Sequence, residues 1–380
     1  MDERHRQALI AGAATSLVVA AMGLLFFGPN RDADRPSAAP TGPEITCEDW
    51  HVVPVHVLGP GASALHDVDG TPGDVWAVGT QGTGPLVLHG VDGAWELVVP
   101  DLRGVRGQVE LSGVSVLAPD DVWIVGAART ERAGQSPVLL HWDGRTLQPD
   151  PGPRRPPDDT ALLAVGATDD LVVAVGGTGD IAKGTGTPVI FTSQGRAWSV
   201  ERTDSETGVL RDVVVDARGS IVAVGFRGDP VERVSIPFAE ARSGPRFREF
   251  LAEERARNAL YAAGEATGGD VWTLGTMAAL FDGRRFRRVP VALAGTTVLG
   301  VSQPSAKRAD AVGVKQTQAG PRPVFARWNG RRWQPLKVPA TSEFPGSLEA
   351  IVTARSGSGW VVGTRETAEG GEALVLRKGC

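Results

Sequence analysis

The sequence predicts an all-β fold, a seven-bladed β-propeller of four-stranded blades. Three observations support this prediction: a repeated motif, its regular spacing and a last copy divided between the chain ends. The motif is clearest at residues 74–79 (DVWAVG) and 121–126 (DVWIVG), and an apolar run, a turn and a bulky residue follow each copy. Short strands that recur at a fixed period are typical of propellers and solenoids. Because the last copy is divided, a closed ring is favoured over an open array.

A glycine ends the second strand of each predicted unit. Successive glycines are separated by 47, 50, 49, 50, 38 and 50 residues, close to the roughly 40–50 residues of one blade. The residue three positions earlier is apolar in six units, which suits packing between blades; Asp310 is the exception. The seven glycines are Gly79, Gly126, Gly176, Gly225, Gly275, Gly313 and Gly363.

Apolar stretches before these strands, such as 111–117, 210–215 and 348–352, are predicted inner strands. A glycine turn followed by a bulky residue, as in Gly93 with Trp95, predicts each outer strand, because Asp-Gly and Asn-Gly are strong hairpin signals. We expect the loops 127–136, 177–187 and 364–372, between second and third strands, to line one mouth of the ring.

The seventh unit lacks an outer strand at the C-terminus, and residues 47–54 supply a segment of matching type. A blade shared by both termini removes two sheet edges, so residues 47–380 are predicted to form the propeller. The two cysteines, Cys47 and Cys380, flank the broken hairpin. We expect a disulfide there, which would persist outside the reducing cytosol; two unrelated free thiols are the alternative.

An uncharged apolar stretch of 20 residues, 8–27, precedes the propeller. At about 1.5 Å per residue it spans a hydrocarbon core of about 30 Å. We predict a transmembrane signal anchor, with residues 1–7 in the cytoplasm and a proline-rich linker at 28–46. A cleaved signal peptide is the competing interpretation. Flanking charges do not orient the segment, but the expected disulfide places the propeller on the extracytoplasmic side, periplasmic or extracellular.

The sequence contains no recognisable catalytic, cofactor or metal motif. Apart from His51, four positions after Cys47, no histidine has a second His or Cys two to four positions away, as metal sites commonly require. Nucleophile-elbow, Walker and zinc-protease motifs are missing. The repeated acids Asp74, Asp121 and Asp270 precede strands, which predicts turn residues bonded to nearby backbone. We therefore predict no catalytic residue, cofactor or metal, and the net charge of −5 gives no sign of nucleic-acid binding.

Three consecutive units carry arginines around the turn before the outer strand. We call this set the arginine rim, and it suits carboxylates, phosphates or acidic protein surfaces. A solvated rim, partly neutralised by Glu249, Glu253 and Glu254, is the alternative. Its members are Arg246, Arg248, Arg284, Arg285, Arg287, Arg288, Arg327, Arg331 and Arg332.

The DVWAVG motif, an apolar strand and the turn HWDG at 141–144 together resemble the repeat of secreted or membrane-anchored bacterial propellers. More distantly they resemble kelch-type, Asp-box sialidase-type and photosystem-assembly-factor propellers. The resemblance covers about residues 47–380 and implies the propeller fold. The sialidase Asp box is absent, and the only tyrosine, Tyr261, lies in a predicted inner strand, so no catalytic residue carries over.

The predicted function is a non-catalytic, membrane-anchored binding or scaffold protein of the cell envelope. Its partner would be an envelope protein, a peptide or a glycan. The alternative is a glycan-processing enzyme, glycosidase-like or lyase-like, that uses acids of the mouth loops as a carboxylate pair. Those acids are Glu131, Asp180, Asp229, Glu232, Glu366 and Glu369.

Overall fold

Seven four-stranded antiparallel sheets form a β-propeller, which confirms the predicted fold class. The structure is a computed structural model that describes residues 49–55, 61–131, 134–195, 197–229, 234–242, 244–251, 258–265, 269–289, 295–305, 307–341 and 344–379. The predicted segments 1–7, 8–27 and 28–46, and both cysteines, lie outside the described residues. Within the described ranges, no helix combines the length and apolar character needed to cross a membrane.

The chain enters the ring through β1 (His51–Val53). Blade one comprises β2 (Ser63–Thr71), β3 (Asp74–Gln81), β4 (Gly84–Val91) and β5 (Ala94–Leu97). Blade two comprises β6 (Gln108–Ala118), β7 (Asp121–Thr130), β8 (Gly134–Trp142) and β9 (Leu147–Pro149). Blade three comprises β10 (Thr160–Thr168), β11 (Leu171–Thr178), β12 (Pro188–Gln194) and β13 (Ala197–Val200). Blade four comprises β14 (Val209–Val215), β15 (Ile221–Asp229), β16 (Val234–Arg242) and β17 (Arg248–Leu251).

The remaining blades follow the same order from the inner to the outer strand. Blade five comprises β18 (Leu260–Glu265), β19 (Val271–Gly275), β20 (Ala278–Phe281) and β21 (Phe286–Arg288). Blade six comprises β22 (Thr296–Ser305), β23 (Arg308–Thr317), β24 (Gly320–Trp328) and β25 (Trp333–Leu336). After a 3-10 turn (Pro339–Thr341), blade seven comprises β26 (Gly346–Thr353), β27 (Gly359–Thr367), β28 (Gly370–Lys378) and β1.

The N-terminal strand closes the ring, as predicted. β1 pairs antiparallel with β28, and His51 lies opposite Arg377. Trp50, just before β1, is buried in a cluster with Leu376, and its ring lies 5.5 Å from that of Phe325 in blade six. The first and last parts of the propeller are therefore joined by backbone pairing and by a shared apolar core.

Every inner strand has a β-bulge just after the residue that pairs with the repeated glycine. In blade three, Leu162 pairs with Gly176, pairing resumes at Ala164, and Leu163 is the unpaired bulge residue. The seven bulge residues are His66, Ser112, Leu163, Arg211, Tyr261, Leu299 and Glu349. A bulge kinks its strand and redirects side chains, so the same local distortion recurs around the whole ring.

Beside each bulge, the inner strand lies so close to the second strand that only glycine fits at the paired position. A Cβ added at Gly176 would lie 1.9 Å from the carbonyl oxygen of Ala161, and the seven glycines give 1.9–2.2 Å at equivalent positions. None of the seven has a positive φ. Close approach of two backbones, and not an unusual backbone conformation, therefore fixes the residue type.

The tryptophan three residues before the glycine packs between blades, as predicted. Trp76 is fully buried among apolar residues of blade two. Its ring stacks on His89 at 4.3 Å, and His89 Nε2 lies 2.8 Å from Asp74 Oδ1. Blade two repeats the arrangement with Trp123, His141 and Asp121. The repeated acids begin their strands as predicted, but in these two blades their carboxylates contact a histidine and not the backbone.

Two of the three predicted mouth loops are wrong. Pairing in blade two continues through Ala128 opposite Ser136, and pairing in blade seven continues through Arg365 opposite Glu372. The second and third strands therefore extend almost to their turns, and only the loop of blade three, at 179–187, is long. The short spacing of 38 residues before Gly313 has a matching cause, since β19 and β20 have only five and four residues.

Candidate functional site

A cavity of about 620 Å³ lies at the centre of the ring and is lined by inner strands. All seven bulge residues contribute to its wall. Volumes of roughly 300–1,000 Å³ are typical of small-molecule sites. Each bulge residue faces the cavity and takes no part in strand pairing. The type of side chain at this position can therefore differ from blade to blade, while the side chains packed between the blades stay apolar.

Three aspartates of the cavity wall join neighbouring blades. Asp67 accepts hydrogen bonds from the backbone N–H groups of Val68 and Val114, each at 2.8 Å. Asp212 accepts from Val213 at 2.8 Å and from Ala263, in the next blade, at 2.7 Å.

The third aspartate of the cavity wall, Asp69, accepts a hydrogen bond from the backbone N–H of Val116 at 2.8 Å. These carboxyl groups hold adjacent inner strands together, so their first role is structural.

Burial is the main influence on these acids. It raises the pKa of Asp67 to about 8 and that of Asp212 to about 7, and it also raises the pKa of Asp69. Hydrogen bonds from Val114 and Ala263 oppose the shifts. At neutral pH Asp67 is therefore mostly protonated and Asp212 about half protonated in the folded protein, whereas in the unfolded chain they ionise at their ordinary pKa near 4.

We expect the free energy of unfolding to fall as the pH rises. Since the folded-state pKa values of Asp67 and Asp212 are raised, their contribution is complete below about pH 4 and is lost as the pH passes about 7 to 8. The loss is at most about 1.4 kcal/mol per pH unit and per group. Urea unfolding between pH 5 and 9 measures it, and the double variant Asp67→Asn, Asp212→Asn should flatten the curve.

A matched control is Asp282→Asn. Asp282 is exposed, and hydrogen bonds from the backbone of Arg285 and Arg284 lower its pKa, so this variant should keep the parent's slope. An unchanged slope in the double variant would contradict the assignment.

A cation and an anion face the cavity without an opposite charge in contact. The guanidinium of Arg211 lies over the ring of Tyr261, 5.6 Å from its centre, and its buried Nε has no hydrogen-bond partner. Among the described residues, no carboxylate lies within ion-pair distance of Arg211 and no basic group within that distance of Glu349. Glu349 accepts a hydrogen bond from Ser347. Burial lowers the pKa of Arg211, and electrostatic interactions with Tyr261, Glu349, Asp212 and Glu110 oppose this shift.

The arginine rim lies at the other end of the blades from the second-to-third-strand loops. In an antiparallel blade, the turns between first and second strands and between third and fourth strands share one end, which we call the turn face. Arg246, Arg248, Arg284, Arg331 and Arg332 are exposed there, and within the described part of the chain none forms an ion pair.

The other rim arginines have partners. Arg285 and Arg287 approach Asp282 and Asp270 at 3.4 and 4.0 Å, and Arg288 also has an interaction partner. Arg327 differs in kind, because its Nε lies 2.6 Å from the buried carboxylate of Asp310.

Asp310 occupies the position that carries tryptophan in four other blades, and Arg308 binds its second oxygen at 2.9 Å. Breaking a buried ion pair leaves an uncompensated charge, so Arg327 has a structural role.

The mouth acids are distributed over blades two, three, four and seven. Glu131, Glu366 and Glu369 are exposed. Asp180 binds Lys183 at 2.6 Å, Asp229 has an interaction partner, and Glu232 lies outside the described residues. In the part of the chain that the structure describes, no group of three or more His, Cys, Asp or Glu side chains is arranged to hold a metal ion.

Sequence reasoning missed the cavity residues. Arg211 and Glu349 fall within predicted apolar inner strands, and their inward orientation is not apparent because the bulge shifts the alternation of inward and outward side chains by one residue. A usable signal existed: the position after the leucine or valine that pairs with the repeated glycine varies from leucine to histidine, arginine and glutamate. Aligning the seven units at that glycine identifies the cavity-facing position.

No family model matches the sequence, and no curated protein matches it. Solved structures do match the fold. YCF48 bound to D1 peptide is 16% identical, with a TM-score of 0.58, and the match covers 87% of this chain and 97% of that chain. YCF48 from Cyanidioschyzon merolae is 20% identical, with a TM-score of 0.58 and coverage of 87% and 99%.

The extracellular domain of the putative one component system BT4673 from B. thetaiotaomicron is 12% identical, with a TM-score of 0.55. This match covers 87% of this chain and 40% of that chain. These likenesses support the propeller that the repeat resemblance implies, and at such identities they show the fold alone. The specific repeat type stays a prediction.

Proposed function

We propose that this chain is a non-catalytic binding protein whose arginine rim holds an acidic protein or peptide partner. The observation that carries the proposal is the set of exposed arginines on three adjacent blades that have no carboxylate partner. Guanidinium groups bind carboxylates in a planar, two-bonded geometry. Blade packing does not require these charges, because the side chains are exposed.

Two further observations support a binding role. The cavity aspartates are engaged by backbone N–H groups of neighbouring blades, which disfavours them as a catalytic pair. A propeller of similar fold, YCF48, has been solved bound to a D1 peptide. A peptide or protein partner is therefore the class we propose for this chain, ahead of a glycan.

We also propose an extracytoplasmic location, with residues 8–27 as the membrane anchor. The support is the apolar sequence of that segment and the expected disulfide between Cys47 and Cys380. A propeller of similar fold is part of the extracellular domain of BT4673.

The test is reversal of charge at the rim. The quadruple variant Arg284→Glu, Arg285→Glu, Arg331→Glu, Arg332→Glu should weaken binding of a deca-glutamate peptide at least tenfold at low salt. The remaining binding should no longer depend on salt, since the screened attraction has been removed. The melting temperature should change little, because exposed charges contribute little to stability. Fluorescence anisotropy across a salt series measures the binding.

A matched control carries the same change in charge elsewhere. Arg106, Arg154, Arg155 and Arg202 are exposed and lie in links from an outer strand to the next inner strand, at the end of the blades opposite the turn face, and their replacement by glutamate should preserve most of the binding. Crosslinked envelope proteins captured by the parent should be lost with the rim variant and kept with the control. Equal capture by the parent and the rim variant would rule out the rim as the binding surface.

A further inference from the structure

The central cavity is a candidate for a second binding site, separate from the arginine rim. Its two singular features are Arg211 and Glu349, which are bulge residues of blades four and seven. In a ring of seven, blades three steps apart are as distant as any two can be. The unpaired cation and the unpaired anion therefore face each other across the cavity.

The neighbouring charges leave this pair exposed to a ligand. Asp67, Asp69 and Asp212 are satisfied by backbone N–H groups, and burial disfavours their ionised forms. Glu110 faces Arg129 at 3.9 Å, so these two charges largely offset each other. One positive and one negative group, each without an ion-pair contact among the described residues, remain on opposite walls.

The protonation of the cavity aspartates does not explain why buried Arg211 lacks a hydrogen-bond partner. Its guanidinium lies over Tyr261, its Nε has no partner, and no carboxylate of a described residue is in contact with it. A buried donor without a partner costs free energy, and a ligand oxygen would remove that cost. An arginine held over an aromatic ring is also well oriented to receive a carboxylate.

We propose that the cavity binds a small zwitterion of the amino-acid type. Its carboxylate meets the guanidinium of Arg211, and its ammonium group meets the carboxylate of Glu349. The cavity volume of about 620 Å³ accommodates a molecule of this size. The bulge residues lie near the start of each inner strand, away from the turn face, so this site does not use the rim.

The experiment is calorimetric titration of the full-length protein with glycine, β-alanine, 4-aminobutanoate, 5-aminopentanoate and 6-aminohexanoate. These probes differ in the distance between ammonium and carboxylate. One chain length should bind saturably at one site per chain. Butanoate and butylamine, which each lack one charge, should bind at least tenfold more weakly than 4-aminobutanoate or a longer preferred probe.

Three variants assign the contacts. Arg211→Gln and Glu349→Gln should each weaken binding of the preferred probe at least tenfold, whereas Ser112→Ala, at an uncharged bulge, should leave it unchanged. Should Arg211→Gln fail to fold, Glu349→Gln still decides, since its side chain keeps the same shape. Absence of binding by every probe, or parent-like binding by Glu349→Gln, would overturn the proposal. The quadruple rim variant should bind the probes normally, which separates this result from the test of the rim.

Discussion

Replacing Gly176 by alanine should destabilise the propeller by about 3 kcal/mol or more. The new Cβ would lie 1.9 Å from the carbonyl oxygen of Ala161 and 3.0 Å from the Cα of Leu162. Both atoms are backbone of the paired inner strand, so the contact is relieved only by moving one strand off the other. Overpacking of a rigid interior typically costs about 1–3 kcal/mol and sometimes more. Urea unfolding of parent and variant measures the difference.

The matched control is Gly84→Ala. Gly84 does not have a positive φ, and an added Cβ would meet its nearest neighbour, the carbonyl oxygen of Gln81, at 3.8 Å. This substitution should change the unfolding free energy by well under 1 kcal/mol. Equal stability of the two variants would show that the inner and second strands of the blade separate easily.

Removing the expected bond between Cys47 and Cys380 should have a comparable or larger effect. The bond would close a loop of 334 residues, and the chain-entropy relation gives about 5–6 kcal/mol for such a loop as an upper value. The pairing of β1 with β28 brings the two ends of the described propeller into the same blade. Thermal and urea unfolding of Cys47→Ser measure the loss.

The single and double variants of Cys47 and Cys380 provide the control for this prediction. Cys47→Ser, Cys380→Ser and the double variant should lose equal stability, because either single change removes the whole bond. A reducing agent should destabilise the parent and leave the three variants unaffected. Labelling of both thiols in denatured, unreduced protein would contradict the bond.

The blade count, the shared last blade and the outer strands are predictable from the sequence because each depends on a local signal. The glycine that ends DVWAVG and the turn at Gly93 mark the ends of strands, and strands that are consecutive in the chain pair with each other, so no long-range information is needed. Loop lengths were less predictable, since residues such as Ala128 and Arg365 continue the pairing although nothing in their composition marks a strand.

Some residues of the candidate sites are likewise predictable from the sequence, and others are not. The arginine rim could be found because the hairpin turn repeats in each unit, so equivalent positions are known. Arg327 could not be separated from the other members, because its partner Asp310 belongs to another strand and only the register brings them together. Arg211 and Glu349 were hidden for a different reason: a bulge changes which side chain faces inward without changing composition.

The seven bulges assign packing between blades and contact with the cavity to different residues. Side chains that pack between blades are constrained in volume, whereas a bulge side chain lines the cavity and its residue is left out of the strand pairing. The axis of the ring thus offers seven positions whose side chains can vary on a constant frame. Recognition properties can be changed there, for example at Ser112 or Leu299, while the scaffold that supports them keeps its stability.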